Sequence, residues 1–156
     1  MPYSLQSNPT VGTGKDGLTE ITFTLAPSKN VDYSAARNSW TLMFMVDPLC
    51  VGTTPITSEV LLGGKNRTAP HFVTYKAPMT STYPETECAA LKLTGVELTP
   101  QQAAVGGTKV LLRFWPSGVC KTLQDFCGGY SGTPNTCVYA FGDNPCDHCP
   151  HQMLTI

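Results

Sequence analysis

Charge is scarce in this chain. Aspartate, glutamate, lysine and arginine make up 13% of its 156 residues, against about 25% in an ordinary soluble domain. The net charge is −1, and the lysines and arginines are scattered from Lys15 to Lys121 without a basic run. Nucleic-acid binding needs a clustered cationic face, so that class of function is excluded. Long apolar runs are missing too. No stretch approaches the roughly 20 residues of a membrane-spanning helix, so no membrane insertion is expected. None near Met1 has the apolar core of a secretion signal. That leaves two readings, a mature or excised domain and an intact intracellular protein.

Catalytic signatures are equally absent. The sequence contains no nucleophile elbow, phosphate-binding glycine loop or helical zinc motif. His71, His148 and His151 are general bases in principle, with Glu87, Asp143 and Asp147 as carboxylate partners, but no spacing pairs them. Asp143 and Asp147 form an irregular acidic pair, more common in a solvated turn than around calcium. The expectation is a protein that is not an enzyme and holds no cofactor or metal.

What is present is turn chemistry and alternation. The 14 glycines and 13 prolines exceed the usual share, and the length suits a single domain over residues 1–156 with a core of its own. Residues 18–25 alternate cleanly, with Ile21, Phe23 and Leu25 on one face, as in a half-buried strand. Residues 40–46 set Trp40, Leu42, Phe44 and Val46 against Met43 and Met45, which predicts a central strand covered on both faces. Two short strands are expected at 60–62 and 71–75. In residues 91–98 the apolar phase slips at Gly95, from Leu91 and Leu93 to Val96 and Leu98, which predicts a bulge. Residues 109–115 and 137–141 complete the strands. Residues 119–127 are the one expected helix, since Cys120, Leu123 and Cys127 recur at helical spacing before Gly128-Gly129. The fold class is all-β, an antiparallel β-sandwich with one short C-terminal helix, stabilised by disulfides.

Cysteine use divides the possibilities for function. Five of the seven cysteines fall in the last thirty-seven residues, as Cys120-x6-Cys127-x9-Cys137-x8-Cys146-x2-Cys149, with Cys50 and Cys88 upstream. Cys146-Asp147-His148-Cys149, followed by His151, has a spacing that can wrap zinc. A structural zinc site normally takes a second close pair, however, and Cys120, Cys127 and Cys137 are too widely separated to supply one. Disulfides are therefore the preferred reading, with all seven cysteines as candidates, and they place the protein in an oxidising compartment. On a helix Cys120 and Cys127 lie about 10 Å apart along the axis, beyond disulfide reach, so they must serve different partners. Seven is odd, so a spare thiol is expected, and with it self-association by linkage between chains. Asn66-Arg67-Thr68 is an acceptor for N-glycosylation in an expected loop.

The run from Gly118 through Cys120, Thr122, Leu123 and Cys127, then Thr136-Cys137-Val138-Tyr139-Ala140-Phe141, then Cys149-Pro150, resembles the end of the pherophorin domain of green-algal extracellular matrix proteins. There the pattern is C-x-T-L-x-x-L-C, then C-x-Y-A-L-F, then a cysteine pair and proline. Pro2-Tyr3-Ser4-Leu5 resembles the family's P-Y-R-L opening, Ile21-Thr22-Phe23-Thr24 its C-F-T strand, and Leu91-Lys92-Leu93-Thr94 its L-K-I-T strand. Departures are visible as well. Thr22 stands where a cysteine is expected, residues 38–40 replace a cysteine pair, Val110 and Leu111 replace another cysteine, and the closing pair is opened to Cys146 and Cys149. Several of the family's bridges therefore have no counterpart in this chain.

The resemblance implies a secreted, glycosylated structural domain of the cell wall or matrix, whose partners are extracellular matrix proteins or glycans. In the family such domains are often joined to hydroxyproline-rich rods, and no such rod occurs in these residues. Two rivals remain. One is a soluble carbohydrate-binding module, which calls for an exposed tryptophan with polar neighbours on a sheet face; burial of both Trp40 and Trp115 would count against it. The other is a zinc-stabilised intracellular domain. The missing upstream cysteines predict that staples are concentrated at the C-terminal end and that the amino-terminal strands hold by packing alone.

Overall fold

The computed structural model describes residues 3–27, 37–51, 56–61, 69–76, 87–116, 120–128, 133–142 and 151–156, with residues 56–61, 69–76, 87–88, 128 and 151 described by backbone alone. Nine strands run through the described residues: β1 (Thr10–Thr13), β2 (Thr19–Thr24), β3 (Ser39–Val46), β4 (Ile56–Leu61), β5 (Ala69–Lys76), β6 (Glu87–Leu98), β7 (Lys109–Phe114), β8 (Thr136–Gly142) and β9 (His151–Thr155). They form a four-stranded sheet in the order β1-β2-β7-β4 and a five-stranded sheet in the order β5-β6-β3-β8-β9. All the pairings are antiparallel. The chain is an all-β sandwich, as its alternation predicts.

The core lies between the sheets. Ile21 and Phe23 of β2 and Val110, Leu112 and Phe114 of β7 point inward from one sheet, and Leu42, Phe44, Leu91, Leu93, Tyr139 and Phe141 from the other. Phe23 stacks on Phe44 with ring centroids 4.6 Å apart, joining the layers directly. Each such side chain contributes roughly 1.5–3 kcal/mol on burial, so this seam is a principal source of stability.

β6 carries the phase slip at Gly95. Thr94 pairs with Thr41 and Leu98 with Ser39, so residues 95–97 stand opposite Trp40 alone. Gly95 takes φ 76° and Glu97 φ 46°. The bulge lets Leu91 and Leu93 on one side and Val96 and Leu98 on the other all reach the core. It also displaces Trp40, which is 40% exposed instead of joining Leu42, Phe44 and Val46 inside.

β3 is central in its sheet, as expected, and buried on both faces over most of its length, with Met45 joining Ala90 and Val138 in a small cluster on the outer one. Two other expectations need correction. The helical segment expected at 119–127 contracts to a π-helical turn, Gln124–Gly128. A helix that periodicity did not reveal, α1 (Pro100–Val105), follows β6. Thr99 and Gln102 close a reciprocal capping box around its first turn, and Pro100 sits where a missing N–H costs nothing.

Gly106 ends α1 at φ +72°, and a Cβ there would lie 2.6 Å from the Pro27 nitrogen. Left-handed backbone and close approach both demand glycine. Gly106→Ala is expected to destabilise the protein by more than about 1 kcal/mol. Urea unfolding of the variant measures this, and an unchanged midpoint would contradict the packing described.

Candidate functional site

The cysteine-rich run is built as a clamp. Cys50 ends a 3-10 turn, Pro48–Cys50, whose first amides are capped by Asp47 through a 2.9 Å bond from the Leu49 N–H. The Asp47 N–H donates to the Phe126 carbonyl at 2.9 Å, drawing the turn toward residues 120–128. Cys50 is bridged to Cys120 across a Cα separation of 5.7 Å, and Cys127 to Cys137 across 5.1 Å. All four cysteines are buried. One end of the segment is thus tied to the exit of β3 and the other to the start of β8. Between the bridges, Phe126 stacks on Phe114 of the opposite sheet at 6.0 Å.

Cys120, Cys127 and Cys137 keep the bridges concentrated toward the C-terminal end, as expected, but the amino-terminal strands are not held by packing alone. Cys50 carries one bridge into the amino-terminal half of the chain. The zinc reading also loses ground, since Cys120, Cys127 and Cys137 are committed to bridges. Cys146 and Cys149 lie outside the described residues, as do Asn66, Asp143, Asp147 and His148. Cys88 is placed by backbone only, opposite Tyr75.

A local motif opens the π-helical turn. The Asp125 carboxylate accepts from the N–H groups of Thr122 (3.0 Å) and Lys121 (3.2 Å), and the Thr122 hydroxyl accepts from the Asp125 N–H at 3.1 Å. Hydrogen bonding of the carboxylate to the Thr122 side chain foremost, and to the Thr122 and Lys121 N–H groups, holds the Asp125 pKa below its ordinary value. A lowered folded-state pKa means the contribution is present above the unfolded value near 4 and is lost as pH falls through the folded one. The Thr-x-x-Asp signature was legible in sequence as a variant capping box. Thr122→Ala is expected to cost about 1 kcal/mol. That loss should shrink in acid, and denaturant titrations at neutral pH and at pH 3 would show it; an equal loss at both would place the effect elsewhere.

A second cluster joins the chain's two ends. The Leu5 N–H donates to the Tyr139 hydroxyl at 2.9 Å, Tyr139 donates to Gln152 Oε1 at 2.9 Å, and Gln152 Nε2 donates to the Tyr3 carbonyl at 2.8 Å. Burial raises the Tyr139 pKa, opposed by the bond from Leu5. The phenol's contribution is therefore present below about pH 10 and is lost as pH rises through the raised folded value. Nothing in the sequence marked Gln152 for this role.

The two described histidines do not converge. His71 lies on β5 and His151 on β9, the two edges of the five-stranded sheet, and four strand spacings separate them by roughly 19 Å. Glu87 lies on β6, directly opposite Lys76. The tryptophans are both partly open, Trp40 at 40% and Trp115 at 45% exposure. Trp115 follows β7 on the outer side of the four-stranded sheet, in phase with Arg113, whose Nε donates to Glu20 Oε1 at 2.8 Å.

Fold and bridges together define the class: a disulfide-clamped antiparallel β-sandwich of a type suited to oxidising surroundings. The family model described as Pherophorin matches residues 1–150, and the chain belongs to that extracellular-matrix family. No curated protein and no solved structure matches it. The residues that carry the family likeness therefore have structural tasks in this chain. Cys120, Cys127 and Cys137 form bridges, Thr122 caps a turn, Leu123 is buried, and Tyr139 anchors the amino-terminal segment.

Proposed function

We propose that this chain is a non-enzymatic structural domain of a secreted extracellular-matrix or cell-wall glycoprotein, acting through contacts with matrix proteins or glycans. The observation that carries the reading is the family match over residues 1–150. Two buried bridges support it, because such bonds form and persist outside the reducing cytosol. In the same reading Cys88, Cys146 and Cys149 supply one further pair and one spare thiol, a route to linkage between chains. Asn66 carries a glycan.

Mass spectrometry of unreduced peptides from protein isolated from the cells that make it tests this. The expected result is linked peptides for Cys50–Cys120 and Cys127–Cys137, hexose on Asn66, and recovery of the protein in the matrix or wall fraction. Seven free thiols in an intracellular fraction would overturn the reading.

A further inference from the structure

We infer that the outer end of the four-stranded sheet is a binding site for a neutral oligosaccharide, with Trp115 as its stacking platform. The inference rests on the matrix-domain reading and narrows its glycan contact to one place. Phe114 is fully buried, so Trp115, next in the chain, falls on the outer face, where it is 45% exposed. Its ring lies beside the β1–β2 turn: a Cβ built on Gly17 would come within 3.7 Å of Trp115 Cζ3.

Beside that turn is an open groove of about 640 Å³, lined by Thr13, Lys15, Asp16, Leu18, Glu20 and Arg113. Asp16 and Leu18 flank Gly17 in sequence, so the groove and the indole share one turn. Three of these polar groups are held in place before any ligand arrives. Arg113 is locked to Glu20 at 2.8 Å, and Asp16 Oδ1 accepts from the Leu18 N–H at 3.3 Å. A Cβ on Gly14 would meet Asp16 Oδ1 at 2.8 Å and Glu20 Oε1 at 2.9 Å, so both carboxylates converge over a residue that leaves them room.

The ligand class follows from this chemistry. Two cationic and two anionic side chains give the groove no net charge, which disfavours phosphate, sulfate or uronic acid as the main determinant. Fixed donors and acceptors in planar groups, set next to an apolar aromatic face, match a pyranose. Its hydroxyl rim takes the hydrogen bonds while its C–H face covers the ring. Trp40 is placed differently, against the β6 bulge at the end of the other sheet.

The test uses the whole disulfide-bonded chain and calorimetric titration with β-linked gluco-, galacto-, manno- and xylo-hexaose, with oligogalacturonate as the charged comparison. At least one neutral hexaose is expected to bind and to shift the indole emission. Trp115→Ala should weaken that binding at least about tenfold, and Glu20→Gln should weaken it with the fold retained. Trp40→Ala should bind as the parent does. Thermal unfolding of each variant separates lost contact from lost fold, and if Trp115→Ala fails to fold, Glu20→Gln and the emission shift decide. Failure of every neutral hexaose to bind, tighter binding of oligogalacturonate, or unchanged affinity in Glu20→Gln or a folded Trp115→Ala would each overturn the site. If the site fails while the protein is still recovered from the matrix fraction, the broader reading stands without it.

Discussion

Replacing Cys50 and Cys120 together by alanine should lower the free energy of unfolding by about 4 kcal/mol, against about 3 kcal/mol for replacing Cys127 and Cys137. The bridges close loops of very different length, with sequence separations of 70 and 10 residues, and the denatured chain gains more freedom when the longer one opens. All four cysteines are buried, so the lost side-chain packing is similar in both pairs and the contrast isolates chain entropy. Urea titrations of the two double variants give the comparison. A larger loss from the short loop would show that local strain or packing, and not loop closure, sets the stabilisation.

Phe44→Ala is expected to cost about 3–5 kcal/mol, from lost transfer energy and the cavity left behind. Phe44 is fully buried on β3, stacks on Phe23 of the opposite sheet at 4.6 Å and lies 6.3 Å from the Tyr139 ring. No side chain from either sheet can easily collapse into the space, because bridges and ladders hold both layers. At about 2–4 °C per kcal/mol for a chain of this size, the thermal midpoint should fall by roughly 6–20 °C. Calorimetry measures this directly. A loss below about 1 kcal/mol would mean that the two sheets do not share one core.

The sandwich was legible wherever a strand had one wet face and one dry one. β2 alternates because it meets the core on one side only. The bulge in β6 was visible because a strand whose apolar phase slips at a glycine can keep its inward face only by taking in an extra residue there. β1 and β9 were hidden for the opposite reason. They are edge strands; all four residues of β1 are exposed, and β9 sends Leu154 into the core but leaves Met153 70% exposed. With so few buried positions no period of two can show. α1 was missed although Thr99-Pro100-Gln101-Gln102 is a capping box with proline at the first helical position. Six residues are too few to display helical periodicity, so its only signal was chemical.

The candidate site divides along similar lines. Cys120 and Cys127 do serve different partners, although the helix from which that was expected is only the turn Gln124–Gly128, and the choice of Cys50 depends on where β3 ends in space. The groove beside Trp115 was invisible because Glu20 and Arg113 are 93 residues apart in sequence. Only the pairing of β2 with β7 makes them neighbours.

The tyrosine and glutamine contacts between the chain's two ends also have a mechanical meaning. Residue 3 is bonded to residue 152, and the Asn8 N–H donates to the Thr155 carbonyl at 2.8 Å, so the first and last described segments lie side by side and run in the same direction. A pull on both ends would load these contacts together, in shear, and would not peel them apart in turn. Because Gln152 and Thr155 belong to β9, tension on the two ends would load this clasp and the edge of the five-stranded sheet together.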